Sequence, residues 1–133
     1  MTSETGPATA PSAVPEFDDP DLVERLVQLG GPALDHLSFG VIGFDSEDLV
    51  VVYNAYESTR AGIGPDRVLG RNIFIEVAPC TNNFLVAQRF VDEPDLDEQL
   101  DYVFTLRMRP TPVRLRLVAR RGHPLRYMLV RPA

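Results

Sequence analysis

Lysine is missing from this chain: every one of its thirteen basic residues is an arginine. With no lysine there is no Schiff base to pyridoxal or retinal, and a P-loop lacks its essential cation. Cysteine is nearly missing too. Cys80 stands alone, which excludes an internal disulfide and a cysteine-rich metal site. No apolar run reaches membrane-spanning length. The first residues have neither the basic start nor the apolar stretch of a signal peptide, so a cytoplasmic location is expected. The two histidines, His36 and His123, have no metal-ligand spacing and join no Ser/His/Asp or Cys/His pattern; they read as surface or capping residues.

What is present suits one compact domain. The 133 residues are 44% hydrophobic, enough for a single core and too few for two. The net charge of −6 speaks against nucleic acid as a partner, and no membrane is expected. Charge is unevenly placed. Residues 1–58 hold eleven acids against Arg25 alone, and residues 101–133 hold eight arginines against Asp101 alone. A fold that joins the two ends lets these fields attract, modestly per pair at exposed sites.

Residues 1–17, rich in Pro, Thr, Ser and Ala without a period, read as a disordered tail, and residues 18–133 as the single domain. Asp19-Pro20 predicts a helix start, with Leu22, Val23, Leu26 and Val27 on one face and Gly30-Gly31 at its end. Phe39–Phe44 and Leu49–Tyr53 flank the polar turn Asp45–Asp48, a predicted hairpin. Residues 54–83 show short helical fragments, including Pro65–Leu69 and Ile73–Val77, and a helix is predicted from about Asn83 to Val91. The last third alternates. Tyr102, Phe104, Leu106 and Met108 interleave with Val103, Thr105, Arg107 and Arg109; Val113, Leu115 and Leu117 interleave with arginines; Leu125–Val130 follows a turn. Such alternation predicts strands with one face buried and one wet. Two strands, a helical middle and three strands make an α+β domain: a five-stranded antiparallel sheet with helices across one face.

Three residues bear on chemistry. Tyr53 and Glu57 are four apart at the exit of a strand, and a helical turn there points both side chains the same way. A phenol and a carboxyl kept neutral by burial can grip an oxygen anion between them. Asn54-x-x-Glu57 also fits a capping box, with Glu57 at the third helical position bonding back to the backbone of Asn54. Cys80, in Ala78-Pro79-Cys80-Thr81, lies near a predicted helix start that favours its thiolate and covalent attachment of a ligand; a buried, inert thiol is the usual fate of a free cysteine.

Leu37-Ser38-Phe39-Gly40-Val41-Ile42 with Tyr53-Asn54-Ala55-Tyr56-Glu57, then Gly70-Arg71-Asn72-Ile73-Phe74 leading to Val77-Ala78-Pro79-Cys80-Thr81, then Tyr102-Val103-Phe104 leading to Met108-Arg109-Pro110-Thr111, resemble the photoactive yellow protein family from about Leu34 to the end. The resemblance implies a PAS fold and a 4-hydroxycinnamic acid (p-coumaric acid) chromophore bound covalently as a thioester on Cys80. It implies that Tyr53 and protonated Glu57 hydrogen-bond the phenolate and that Met108 assists thermal recovery. It implies a pocket of Ala61, Ile63, Ile73, Phe74, Val77, Ala78, Pro79, Phe104, Leu106 and Met108. In that family blue light isomerises the chromophore, Glu57's counterpart gives up its proton, and the unpartnered buried carboxylate drives partial unfolding that loosens the N-terminal segment. This chain departs from the family's pattern at Ala61 (a supporting threonine), Ile63 (an arginine lid), Leu106 (a tyrosine), Ile73 (a phenylalanine) and Tyr56 (an alanine). The expected function is a blue-light sensor that binds a small aromatic acyl ligand, with a homodimer through the N-terminal region as a further expectation. Two other readings stand beside it. One is a PAS-fold acyl-handling enzyme in biosynthesis, using Cys80 as nucleophile or Glu57 as general acid. The other is a PAS interaction module without chromophore.

Overall fold

The computed structural model describes residues 14–106 and 109–133. In chain order the elements are α1 (Leu22–Leu29), a 3₁₀ turn (Gly31–His36), β1 (Gly40–Phe44), β2 (Val50–Tyr53) and α2 (Ala55–Ala61). Short turns at Pro65–Arg67, Ile73–Val77 and Pro79–Thr81 follow, then α3 (Ala87–Asp92), β3 (Leu96–Leu106), β4 (Arg109–Ala119) and β5 (Arg126–Pro132). The five strands form one sheet in the order β2-β1-β5-β4-β3, and every pairing is antiparallel. Among the described residues no helix is long and apolar enough to cross a membrane.

The hairpin forms as the turn chemistry predicts. Asp45 Oδ1 accepts from the backbone N–H of Glu47 at 2.9 Å and of Leu49 at 3.0 Å, and Asp48 takes a positive φ of 66°, which a short polar residue tolerates.

The helical middle crosses one face of the sheet. There Ile42, Phe44, Leu115, Leu117, Met128 and Val130 pack against Ile73, Phe74, Val86 and Phe90. The opposite face differs from the one-wet-face expectation. Val41, Val118, Tyr127 and Leu129 are buried there beneath Leu22, Val23 and Leu26 of α1. β1 is consequently buried along its whole length, which alternation alone does not reveal.

The N-terminal boundaries also shift. Phe17, placed at the end of the expected tail, is buried with its ring 5.8 Å from that of Phe39. Residues 1–13 lie outside the described residues. Helix α1 starts from Asp21, not Asp19. Asp19 is drawn off to Glu16 N–H at 2.8 Å and Arg25 Nη1 at 2.5 Å. Val27 is exposed, not on the buried stripe. The predicted helix from Asn83 is only the short α3, because Asn83's side chain accepts from the N–H groups of Leu85 and Val86 in a turn.

The two ends meet as the charge distribution predicts. Arg126 pairs with Asp48 at 2.7 Å and Arg120 with Glu24 at 3.1 Å.

Candidate functional site

Helix α2 begins where β2 ends, and Asn54 makes the joint. Its Oδ1 accepts from Glu57 N–H at 3.2 Å and from Val41 N–H at 2.9 Å. Its Nδ2 donates to the carbonyls of Leu34 and Phe39, both at 3.0 Å. One fully buried amide thus caps the helix and ties it to β1 and to the preceding turn. The capping reading of Asn54 is half right. The cap forms, but the Glu57 carboxylate turns inward to the sheet instead of returning to Asn54 N–H, which bonds Val41 O at 3.2 Å.

Room for Glu57 exists because its neighbour on β1 is glycine. A Cβ on Gly40 would collide with Glu57 Oε1 and lie 3.1 Å from its Cδ. Both Glu57 oxygens accept from Arg60: Nε to Oε1 at 3.0 Å, and Nη2 to Oε2. Burial pushes the Glu57 carboxyl above its usual range, and the hydrogen bonds and charge of Arg60 pull it part of the way back.

Tyr53 ends β2 opposite Ile42 and faces the same core. Its hydroxyl donates to Ile63 O at 3.2 Å, an oxygen that also accepts from Ser58 Oγ at 2.9 Å. Burial foremost, and then the nearby Glu57 charge, push the phenol up to about 12. It therefore stays a neutral donor at physiological pH, and the two side chains share one electrostatic neighbourhood.

The raised Glu57 carboxyl predicts a pH dependence of sign opposite to the usual acid. Its folded midpoint lies above the unfolded one, so the native state holds the extra proton. This contribution to stability is full below about pH 4.5, the unfolded value, and is lost as pH rises through the folded midpoint. Unfolding free energy measured by urea titration across that window should decline in the wild type and lose that component of the decline in Glu57→Gln. An unchanged slope in the variant refutes the assignment.

Cys80 is half-buried against the same apolar core that holds Tyr53. It sits within the three-residue turn Pro79–Thr81, while α3 starts only at Ala87. The helix start expected beside Cys80 is therefore not there. Its backbone is pinned instead: Tyr102 OH donates to Cys80 O at 2.5 Å and Asn83 Nδ2 donates to it at 3.1 Å.

From that point β3 forms a wall running toward Glu57. The Tyr102 and Phe104 rings meet edge to face at 6.1 Å, and the Arg60 guanidinium lies 5.0 Å from the Phe104 centroid. Sequence reasoning missed Arg60, Gly40 and Tyr102. Gly40 and Tyr102 lie in segments that carry the resemblance, and Tyr102 pairs with Phe104 at period 2; Arg60 had no such signal.

Of the other expected pocket residues, Ala61, Ile73, Phe74, Ala78 and Phe104 are buried, Ile63 and Val77 are partly buried, and Pro79 is exposed. The Leu106 side chain and Met108 lie outside the described residues. Ala61 and Phe104 share the lining of a cavity of about 430 Å³ with Arg60, Arg109, Thr59 and Thr111.

No family model matches the chain. Photoactive yellow protein of Rhodothalassium salexigens is 33% identical over 105 residues, covering 77% of this chain and 84% of that protein. That of Halochromatium salexigens is 35% identical over 104 residues, with 76% and 83% covered. The photoactive yellow protein domain of the sensor histidine kinase Ppr from Rhodospirillum centenum superposes with a TM-score of 0.73 at 37% identity, covering 81% of this chain and 97% of that one. The PAS domain of an HTR-like protein from Haloarcula marismortui, 16% identical with a TM-score of 0.56 over 84% of this chain and 96% of that one, shares the fold. By identity, coverage and architecture this chain is a PAS domain that belongs to the photoactive yellow protein family.

Proposed function

We propose that this domain is a blue-light sensor carrying a 4-hydroxycinnamoyl group as a thioester on Cys80, with the phenolic end held by Tyr53 and Glu57. The observation that carries the reading is the β3 wall. Tyr102, Phe104 and Arg60 link the backbone of the thiol-bearing turn to the buried acid by successive contacts. The donor set suits the group at both ends: a thiol for the acyl carbon, and a neutral phenol with a burial-raised carboxyl for the hydroxyl. When bound, the group supplies absorption of blue light and isomerisation of its double bond.

The chain's residues do the rest. The Cys80 sulfur bonds the acyl carbon of an activated acyl donor, the donor's leaving group departs with the bonding pair of the broken acyl bond, and it takes up the thiol proton. Tyr53 can turn its hydroxyl to the ligand without orphaning Ile63 O, since Ser58 still donates there. Phe104, Ile73 and Phe74, all buried, keep water from the aryl ring, so that a hydrogen bond to the phenolic oxygen acts in a low dielectric.

Reconstitution with activated 4-hydroxycinnamate should give a yellow wild type with one acyl adduct by mass spectrometry, and a colourless Cys80→Ala. A wild type whose spectrum stays that of the free acid sinks the reading.

A further inference from the structure

The resemblance implies a buried acid whose carboxylate has no partner once its proton is lost. Here it has one. The Arg60 side chain is 15% exposed and that of Glu57 2%, and the guanidinium grips both carboxyl oxygens while lying on the Phe104 ring. A guanidinium keeps its charge at any pH a protein survives, and its planar fork matches a carboxylate. The position where the resemblance implies a lid arginine is Ile63, whose side chain packs on the apolar core. The cation that faces the acid comes instead from the last turn of α2. It opens onto the cavity lined by Ala61, Phe104 and Arg109, whose lining among the described residues contains two arginines and no carboxylate.

We propose that Arg60 is the charge-balancing residue of the ligand site and makes it select an aryl ligand with one acidic hydroxyl. This rests on the reading that Tyr53 and Glu57 receive that hydroxyl.

The charge count supports it. Among the described residues the charged group that acts on Glu57 is Arg60 from its own helix; Tyr53 of β2 feels the Glu57 charge, and β1 brings Gly40 against the carboxyl. With Tyr53 neutral and Arg60 fixed at one positive charge, the site is balanced by one negative charge. In the empty site an ionised Glu57 provides it. With a phenolic ligand, Glu57 and the ligand hydroxyl hold one proton and one negative charge between them, and the total is the same whichever of the two keeps the proton. A ligand with a methyl ether in place of the hydroxyl leaves that balance intact but offers no proton, so its oxygen faces a carboxylate that Arg60 holds in the accepting form.

The same geometry blunts the family's light response. A carboxylate formed beside Arg60 meets a cation, so less of the charge-driven loosening follows than where it meets none.

Two measurements on the full chain test this. In ligand-free protein, a ¹³C NMR titration of the Glu57 carboxyl should show the midpoint about one pH unit or more higher in Arg60→Gln than in wild type, with Arg60→Lys between them. In protein loaded with the 4-hydroxycinnamoyl thioester, the visible absorbance titration of the phenol should shift upward by a similar amount in Arg60→Gln. Loading with the 4-methoxy analogue should be at least tenfold poorer in wild type than in Arg60→Gln, each relative to the phenol. An unmoved Glu57 midpoint overturns the charge-balancing role, and so do equal phenol midpoints in loaded wild type and variant. A wild type that fails to load overturns the ligand reading and the selectivity claim with it, while the first titration still reports the ion pair by itself.

Discussion

Asn54→Ala should unfold at a temperature roughly 10–20 °C below wild type, corresponding to a loss of about 3–5 kcal/mol. The substitution removes one buried amide and strips its bond from three backbone groups, the N–H groups of Val41 and Glu57 and the carbonyl of Phe39, while the Leu34 carbonyl keeps only its bond from Leu37 N–H at 3.3 Å. A lost helix cap alone costs about 1 kcal/mol. The excess comes from groups that water cannot reach in their native positions, each costing about 1–3 kcal/mol when unsatisfied, less whatever relaxation recovers. Asn54→Ser, which retains an acceptor for the helix cap, should recover only the cap's share. Differential scanning calorimetry of the three proteins checks the order. A deficit under about 1 kcal/mol for the alanine variant would mean that Asn54 is a helix cap and nothing more. The site should suffer with the fold. Asn54 is covalently between Tyr53 and the turn that carries Glu57, so ligand loading at a temperature where the variant is still folded should also fall.

That residue shows where the sequence was legible and where it stopped being so. Strand positions followed from period-2 alternation, and the α+β order followed from counting segments. The hairpin followed from Asp45 and its neighbours, because turn chemistry is local. Tyr53 and Glu57 were readable as a pair because a helical turn brings i and i+4 together whatever lies around them. Asn54 was readable only as a cap. Its two donor bonds go to carbonyls 20 and 15 residues away, and nothing local encodes them. Arg60 was invisible for a related reason. An arginine on an exposed-looking turn of an amphipathic helix usually reaches solvent, and only the glycine at position 40 leaves the acid a berth that the guanidinium can close. The wet sheet face failed on the same ground. Arg114 and Arg116 look equivalent in the alternating run, yet Arg114 is partly exposed and pairs with the well-exposed Asp101, while Arg116 is buried.

Arg116→Ala should release the N-terminal segment. The Arg116 side chain is 5% exposed, and its fork closes on Asp97, Nε to Oδ1 and Nη2 to Oδ2, both at 2.8 Å. The remaining nitrogen donates to Phe17 O and Asp19 O, both at 2.7 Å. One guanidinium on β4 therefore holds both a carboxylate of β3 and the chain entering α1. Breaking a buried pair costs about 3–5 kcal/mol when the remaining charge is trapped. Asp97 is 40% exposed, so water rehydrates it and the expected loss falls to about 2–3 kcal/mol. Against this stands the apolar alternative, in which Phe17 docks by itself through its edge-to-face contact with Phe39 and the Arg131 guanidinium 5.2 Å from its ring. An aromatic pair adds about 0.5–1.5 kcal/mol beyond its buried area and burying the ring about 1.5–3 kcal/mol, comparable to the polar lock, but the ring holds the chain at one point where Arg116 holds it at two. Hydrogen exchange decides between them. In Arg116→Ala the amides of residues 17–29 should lose protection while those of β5 keep it, and Phe17→Ala should have the smaller effect. If the order is reversed, the segment is held by its ring and Arg116 serves only to join β3 to β4. If the order stands, whatever loosens this segment in a working cycle must first pull two carbonyls from an arginine whose charge stays paired. Such a lock opens by a shift of backbone that withdraws the Phe17 and Asp19 carbonyls from one nitrogen together.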